Sequence, residues 1–279
     1  MRTGGAMTID KSVRASLRLG LVVTAALLAA ACATPPKDDP EALAEFERIN
    51  DPLEPFNRVV FDVNLTLDGL IFKPFATMYR GVMPEVGRTA VHNVLSNLRE
   101  PVVFVNDVLQ GELERAGTAA GRFAINSTIG ILGIIDVATD FGLEHHSEDF
   151  GQTFAVWGVG EGPFLMLPLL GPSNPRDLVG LIAQIFGDPV NIAAVAYDLD
   201  EVPLARSLLT GLDERERNLD TLDEIERTSL DFYAALRSLY RQRRADEIRN
   251  SKPTAVEPAP GISSPAAPGD GTAALPGQP

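Results

Sequence analysis

The sequence predicts an all-α fold, and the spacing of its apolar residues is the main reason. Between residues 85 and 98 apolar side chains recur about every 3.6 positions, as the buried face of a helix requires. The segments 112–129 and 212–248 show the same periodicity. No run alternates between apolar and polar residues for long enough to predict a strand. We therefore expect a domain built from helices.

The helices are expected to follow one another from about residue 85 to residue 248. Pro84 suits the first turn of the helix at 85–98, and Pro101 is predicted to stop it, because proline disfavours a helical residue before it. The apolar helices late in the chain are predicted to break at residues 187–189. In chain order the predicted helical segments are 85–98, 102–109, 112–129, 176–186, 190–199 and 212–248.

The N-terminal segment has the order of a bacterial export signal. Basic residues come first, an apolar run follows at 19–31, and Cys32 stands directly after small residues. The thiol is nucleophilic enough to take a diacylglycerol as a thioether, so we predict cleavage before Cys32 and lipidation there. The alternative is an ordinary signal peptide with an incidental cysteine. The basic residues are Arg2, Lys11, Arg14 and Arg18.

Composition divides the chain into four predicted parts. Residues 1–31 are the signal peptide, 32–39 a short polar tether, and 40–249 the helical domain. Residues 250–279 are rich in Pro, Gly and Ala and hold too few large apolar groups to offset chain entropy, so we predict a disordered tail.

The charge of the chain limits its partners. The net charge is −14, and removing residues 1–31, with four basic residues and one acidic residue, makes it −17. Such a chain repels nucleic acid, so no nucleic-acid partner is expected. Its single cysteine rules out an intramolecular disulfide and a zinc site of the cysteine type.

Two apolar segments, 59–75 and 129–171, allow two interpretations. Neither holds the roughly 18 uninterrupted apolar residues that a membrane-spanning helix needs. Both are apolar enough to lie in a membrane interface or to line an apolar groove. A plain buried core explains the same composition equally well.

Few residues suggest catalysis, and we predict no catalytic residue, metal site or cofactor. His145 and His146 lie in an acidic stretch, but adjacent histidines point in different directions, so a solvated turn is favoured over a metal site. His92 has no nucleophile near it in sequence. The glycines at 158–162 lack the lysine and hydroxyl residue of a phosphate loop and indicate a flexible turn.

Four segments together resemble the MlaA, or VacJ, family of lipoproteins. They are NDPLEPFNR at 50–58, EPVVFVNDVLQGE at 100–112, RFAINSTIGILGIIDVA at 122–138 and FGQTFAVWGVGEGPFLMLPLLGPSNPRD at 150–177. They occur in the family's order and roughly its spacing. The resemblance is weak after residue 180, and Pro55 stands where glycine is more familiar.

The resemblance implies a compact, ring-like helical domain seated in the inner leaflet of the outer membrane. Lipidated at Cys32, it would face the periplasm. Members of the family associate with trimeric porins and pass misplaced phospholipids from the outer leaflet to a periplasmic carrier. This activity maintains lipid asymmetry and implies no covalent chemistry on the lipid.

The resemblance also assigns residues to a channel. A hairpin around 156–170 would border the channel, with Gly158 and Gly160 providing its mobility. The hairpin and hinge positions are Gly158, Gly160, Gly162, Phe164, Leu165 and Leu167, the last three forming an apolar wall. An early helix at residues 61–72 would form a membrane-seated ridge. Its ridge residues would be Phe61, Asn64, Leu65 and Phe72.

Two other functions remain open at the level of sequence. One is a structural lipoprotein that tethers the outer membrane, for which the long charged helix and the tail would be the working parts. The other is a periplasmic lipid hydrolase, which would need a nucleophile and one of the three histidines.

Overall fold

A computed structural model describes residues 39–250. The predicted signal peptide, Cys32, the tether up to residue 38 and the tail from residue 251 lie outside these residues. The predictions for those segments therefore stay predictions.

The described residues confirm the all-α prediction, since helices make up most of their length. The helices are α1 Pro40–Ile49, α2 Glu54–Leu67, a π-helical turn Asp68–Phe72, α3 Lys73–Val82, α4 Glu85–Gln110, α5 Leu113–Thr128, α6 Val137–Asp140, α7 Phe150–Val156, α8 Pro175–Gly187, α9 Pro189–Ala196, α10 Glu201–Arg217, α11 Leu219–Thr228 and α12 Phe232–Ile248. Two short strands, β1 Leu165–Leu167 and β2 Gly171–Ser173, pair antiparallel, with Leu165 opposite Ser173.

The prediction that Pro101 stops a helix is wrong. Helix α4 runs through Pro101 and ends only at Gly111, whose left-handed backbone (φ 81°) caps it. Proline removes one backbone hydrogen bond from a helix, but burial on the next turn favours continuation. Val102 and Val103 are fully buried directly after the proline, so packing outweighs the local penalty.

The single long helix predicted at 212–248 is also wrong. This segment forms the end of α10, then α11 and α12, with a break after Arg217 and an extended break at Ser229. Asp231 caps α12 by accepting a hydrogen bond from the backbone N–H of Ala234. The predicted break at 187–189 is confirmed, because Asp188 caps α9 through the N–H groups of Val190 and Asn191.

The distribution of side chains is inverted relative to a water-soluble bundle. Buried positions include many charged residues, among them Glu100, Glu148 and Arg122, whereas large apolar side chains cover the exterior. Val86 is 83% exposed and Phe186 is 76% exposed. A water-soluble domain rarely leaves so many large apolar side chains uncovered, so this exterior is suited to contact with lipid.

Helices α8 and α9 hold the most apolar stretch of the described residues. By length and composition alone, the 22 residues Pro175–Ala196 could cross a membrane, with a mean hydropathy of 1.6 and 17% of the window buried. The helix is interrupted at Asp188, whose side chain is buried and ion-paired with Arg206 at 2.6 Å. The apolar stretch is therefore divided into two shorter helices at a buried, ion-paired aspartate.

Candidate functional site: the hairpin and its supports

The β1–β2 hairpin is packed between α2 and α12. Phe164 and Met166 of the hairpin join Phe61 of α2 and Tyr233 of α12 in one buried apolar cluster. The ring centroids of Phe61 and Tyr233 lie 5.5 Å apart, and those of Phe164 and Tyr233 lie 6.1 Å apart, both edge to face. The base of the hairpin is therefore part of the core.

Two asparagines on α2 take the place of a neighbouring strand for β1. Asn57 donates to the carbonyl of Phe164 at 3.1 Å and accepts from the N–H of Met166 at 2.9 Å. Asn64 donates to the carbonyl of Leu167 and accepts from the N–H of Leu169, both at 2.9 Å. The two lie seven residues apart, which places them on one face of the helix. Each amide thus fixes one end of β1.

Asn57 also connects α2 to α12. Asn57 also donates to Asp51 at 2.8 Å, and Asp51 accepts from the hydroxyl of Tyr233 at 2.5 Å and from Arg237 at 2.7 Å. Burial raises the pKa of Tyr233, and the hydrogen bond to Asp51 raises it further. The tyrosine is therefore a neutral donor, and the two helices that enclose the hairpin are held together.

The predicted wall residues differ in their exposure. Phe164 is only 3% exposed and faces the core, whereas Leu165 and Leu167 are half-buried. Sequence reasoning missed the exposed leucines at the tip of the hairpin, Leu169 and Leu170. An alternation of burial begins at Phe164, but it covers too few residues to have predicted a strand.

The three predicted hinge glycines have different environments. Gly158 and Gly162 have positive φ angles, 89° and 70°, whereas Gly160 does not. A Cβ atom at Gly158 or Gly160 would meet nothing within 4 Å, but one at Gly162 would lie 3.0 Å from the ring of Pro175. Gly162 therefore allows a close approach to α8, and Gly158 provides a backbone conformation that other residues resist.

The predicted ridge is only partly at the surface. Phe61 is 7% exposed and faces the core, Leu65 packs partly against the same cluster, and Asn64 binds the hairpin. Phe72 is exposed on the π-helical turn. Other apolar side chains of this segment are exposed and were not singled out from the sequence: Val59, Val63, Leu70, Ile71 and Phe75.

A buried arginine joins α12 to the segments on the other side of the hairpin. Arg244 makes two bonds of 2.7 Å to the carboxylate of Asp149, which caps α7, and one of 2.8 Å to Asp177 of α8. Asp177 also accepts from the hydroxyl of Tyr240 at 2.6 Å. Burial by itself raises the pKa of both aspartates, but the bonds from Arg244 outweigh it, so each pKa lies below its usual range.

The close packing of α7 on α8 depends on two glycines. A Cβ atom at Gly180 would lie 2.4 Å from the backbone nitrogen of Gly151. A Cβ atom at Gly151 would lie 2.5 Å from the guanidinium of Arg244 and 2.6 Å from Asp177. Any larger residue at either position would push apart the elements that Arg244 connects.

Each histidine contacts a carboxylate on a neighbouring helix. His145 Nδ1 lies 3.2 Å from Glu100, and His146 Nε2 lies 2.8 Å from Asp107, so the adjacent histidines reach different carboxylates of α4. His92 Nδ1 lies 2.7 Å from Asp213 of α10. Within residues 39–250, no group of three or more His, Cys, Asp or Glu side chains is arranged to hold a metal ion.

The apolar exterior, the ion-paired interior and the clamped hairpin define a class of protein: a helical domain suited to lipid contact, with polar groups directed inward. The sequence profile of the MlaA lipoprotein family matches residues 49–247. The chain belongs to that family, and the resemblance predicted from its sequence motifs is confirmed.

Individual relatives and a solved structure agree with this assignment. The intermembrane phospholipid transport system lipoprotein MlaA of Escherichia coli is 32% identical over 231 residues, which cover 81% of this chain and 87% of that protein. The protein of the same name from Haemophilus influenzae is 29% identical over 73% of this chain and 81% of its own length. An uncharacterised protein of Rickettsia prowazekii is 36% identical over 71% and 78% of the two chains.

A solved structure is also similar to this chain. A solved structure, from work on the structural basis for maintenance of bacterial outer membrane lipid asymmetry, matches with a TM-score of 0.63 and 34% identity. The match covers 71% of this chain and 98% of that chain.

Proposed function

We propose that this chain is an outer-membrane lipoprotein that removes mislocalised phospholipids from the outer leaflet and passes them to a periplasmic carrier. It maintains lipid asymmetry and performs no covalent chemistry on the lipid. Its partners are a phospholipid, a trimeric porin of the outer membrane and a carrier of the same transport pathway. The observation that carries the proposal is the inverted distribution of side chains, in a member of the MlaA lipoprotein family.

The inverted distribution fits the physical demands of lipid transfer. A phospholipid headgroup needs a polar path through a membrane protein, because a bare charge in hydrocarbon costs several kcal/mol. The acyl chains need no such path, because they stay in contact with apolar surface. The apolar exterior provides the environment for the acyl chains, and the polar side chains inside the domain are the groups from which the proposed headgroup path would be built. The hairpin borders this path, and Gly158 and Gly160 give it mobility.

Two anchors hold the protein in the membrane. Lipidation at Cys32 contributes about 0.8 kcal/mol for each buried methylene, so two or more acyl chains give essentially permanent attachment. The apolar exterior seats residues 40–249 in the inner leaflet of the outer membrane, at the periplasmic face.

Deletion of the gene is expected to raise the amount of phospholipid in the outer leaflet. The measurement is outer-leaflet phospholipid in cells with and without the gene, at matched envelope integrity. The intact gene is expected to reverse the rise, and so is a form lacking residues 251–279, because transport does not require the tail. An unchanged phospholipid level would contradict the proposal, whereas failure of the shortened form alone would favour a structural tether.

Introducing charge on α8 is expected to weaken membrane seating. Ile182 and Ile185 are exposed, and replacing both by glutamate in a Cys32→Ala background should lower binding of the purified protein to phospholipid vesicles about tenfold or more. Thr221→Glu with Gln242→Glu is the matched control, since both positions are exposed and polar. Equal vesicle binding by the two double variants would show that α8 does not contact lipid.

A further inference from the structure

The glycine loop, residues 158–162, is joined to α12 by one ion pair. Arg241 Nη2 lies 2.8 Å from Glu161 Oε1, and the two side chains are 31% and 40% exposed. Glu161 belongs to the loop between the hinge glycines, whereas Arg241 belongs to a helix that also packs against the hairpin. The pair thus connects the loop that leads into the hairpin with a helix that packs against the hairpin.

The other nitrogen of the same guanidinium binds the end of α1. Arg241 Nη1 donates to the carbonyls of Arg48 at 2.7 Å and Ile49 at 2.6 Å. The last carbonyls of a helix have no partner within the helix, so they readily accept from a cation. A single side chain therefore bridges the glycine loop and the C-terminal turn of α1.

The residue that follows α1 reinforces this bridge. Asn50 adopts a left-handed conformation (φ 52°), and its side chain donates to the carbonyl of Gly162 at 2.7 Å. Its own carbonyl accepts from the N–H of Phe164 at 2.9 Å. The end of α1 thus holds the glycine loop at Glu161 through Arg241 and at Gly162 directly, and it also holds Phe164 just beyond the loop.

We propose that Arg241 is a positioning residue and that its pair with Glu161 is a latch by which α1 holds the glycine loop closed. Helix α1 is the first helix of the described residues and begins eight residues after the predicted anchor at Cys32, so the latch relates the position of the anchored end to that of the loop. Beyond the loop, β1 is fixed by Asn57 and Asn64, and Gly162 stays bound to Asn50, so release of Glu161 loosens the part of the loop before Gly162 without freeing the strand. The significance for transport rests on the proposed function, but the latch does not.

The strength of the pair suits a reversible contact. Both side chains are partly in solvent, where an ion pair changes a population only about two- to fivefold. Salt screens such a pair, since the Debye length falls from roughly 14 Å near 0.05 M to about 4 Å near 0.5 M. A buried pair such as Arg244 with Asp149 would not respond in this way.

The test is hydrogen–deuterium exchange of the full chain in lipid nanodiscs. Glu161→Gln is expected to speed exchange in residues 158–162 about two- to fivefold without affecting α1. Arg241→Met is expected to speed exchange both in the loop and at residues 48–50. Arg243→Met is the matched control, because Arg243 lies on the same helix and pairs at 2.8 Å with Glu247, away from the loop. It should leave both regions unchanged.

Salt and a double variant complete the test. Raising salt to 0.5 M should speed loop exchange in the native chain but not in Glu161→Gln. The double variant, Glu161→Gln with Arg241→Met, should show loop exchange no faster than that of Arg241→Met alone. Native-like loop exchange in Glu161→Gln and Arg241→Met, or an equal effect of Arg243→Met, would overturn the latch. Because exchange does not depend on transport, a changed exchange with unchanged outer-leaflet phospholipid would remove only the latch's role in transport.

Discussion

Replacing Arg244 by methionine is expected to lower the free energy of unfolding by about 3–5 kcal/mol, because it leaves two largely buried carboxylates without their cation. Asp149 loses both of its bonds to the guanidinium, and Asp177 loses one. The same bonds hold α7, α8 and α12 together, so the hairpin support loosens as well. The measurement is denaturant unfolding of the purified protein in detergent micelles.

Arg227→Met is the matched control for this effect. Arg227 is 71% exposed and pairs with Glu224 one turn away, so its loss should change stability by less than about 1 kcal/mol. An equal loss of stability in the two variants would contradict the role assigned to the buried network. Arg244→Lys should fall between them, since lysine keeps the charge but not the planar set of donors.

The same network predicts a dependence of stability on pH. The pKa values of Asp149 and Asp177 lie below their usual range in the folded state, so their stabilisation is complete above the usual aspartate pKa. It is lost as the pH falls through the lower, folded-state values. Unfolding measured between pH 6 and pH 2 should show this loss in the native chain. The loss should be smaller in Arg244→Met, in which the aspartates are no longer paired.

The sequence predicted the helices more reliably than their ends. The break at Asp188 could be predicted because glycine and proline flank a residue that caps helices well. The predicted end of the helix at Pro101 was wrong, because burial of Val102 and Val103 favours a continuous helix. That burial depends on tertiary packing, which the sequence does not show. The breaks between α10, α11 and α12 lie among polar residues. Which of these residues cap a helix could not be predicted without knowing how the helices pack.

The supports of the hairpin had no local signal in the sequence. Arg244 lies 95 residues from Asp149 and 67 from Asp177, so only the fold brings them together. Asn57 and Asn64 lie seven residues apart on one helix face, but nothing in the sequence says that a strand will pack there. The periodicity of apolar residues predicts which face of a helix is buried, but it does not predict which element packs against that face.

Composition also left open where the apolar residues lie. The segments 59–75 and 129–171 suited a buried core and a lipid-facing surface equally well. The fold separates these readings, because Leu70, Phe75 and Leu132 are exposed whereas Glu100 and Arg122 are buried. A chain with 45% hydrophobic residues can place them either in the interior or on the exterior of the domain. The positions of the buried ion pairs show that polar groups occupy much of the interior.

Replacing Gly158 and Gly160 together by valine is expected to raise outer-leaflet phospholipid, while folding and porin association stay intact. Gly158 has a φ angle of 89°, a region that costs a residue with a side chain about 1–2 kcal/mol, and more for a β-branched residue. The loop must therefore adopt another conformation. The measurement is outer-leaflet phospholipid in a deletion strain that carries the variant at the native protein level.

The single variants separate backbone conformation from side-chain bulk. A Cβ atom meets nothing within 4 Å at either position, and only Gly158 has a positive φ, so Gly158→Val should reproduce most of the effect and Gly160→Val little of it. Native-like transport in Gly158→Val would remove the hinge from the mechanism. An equal effect of both single variants would instead assign the defect to what the two substitutions share, the loss of glycine's backbone freedom and the added bulk, and not to the positive φ of Gly158.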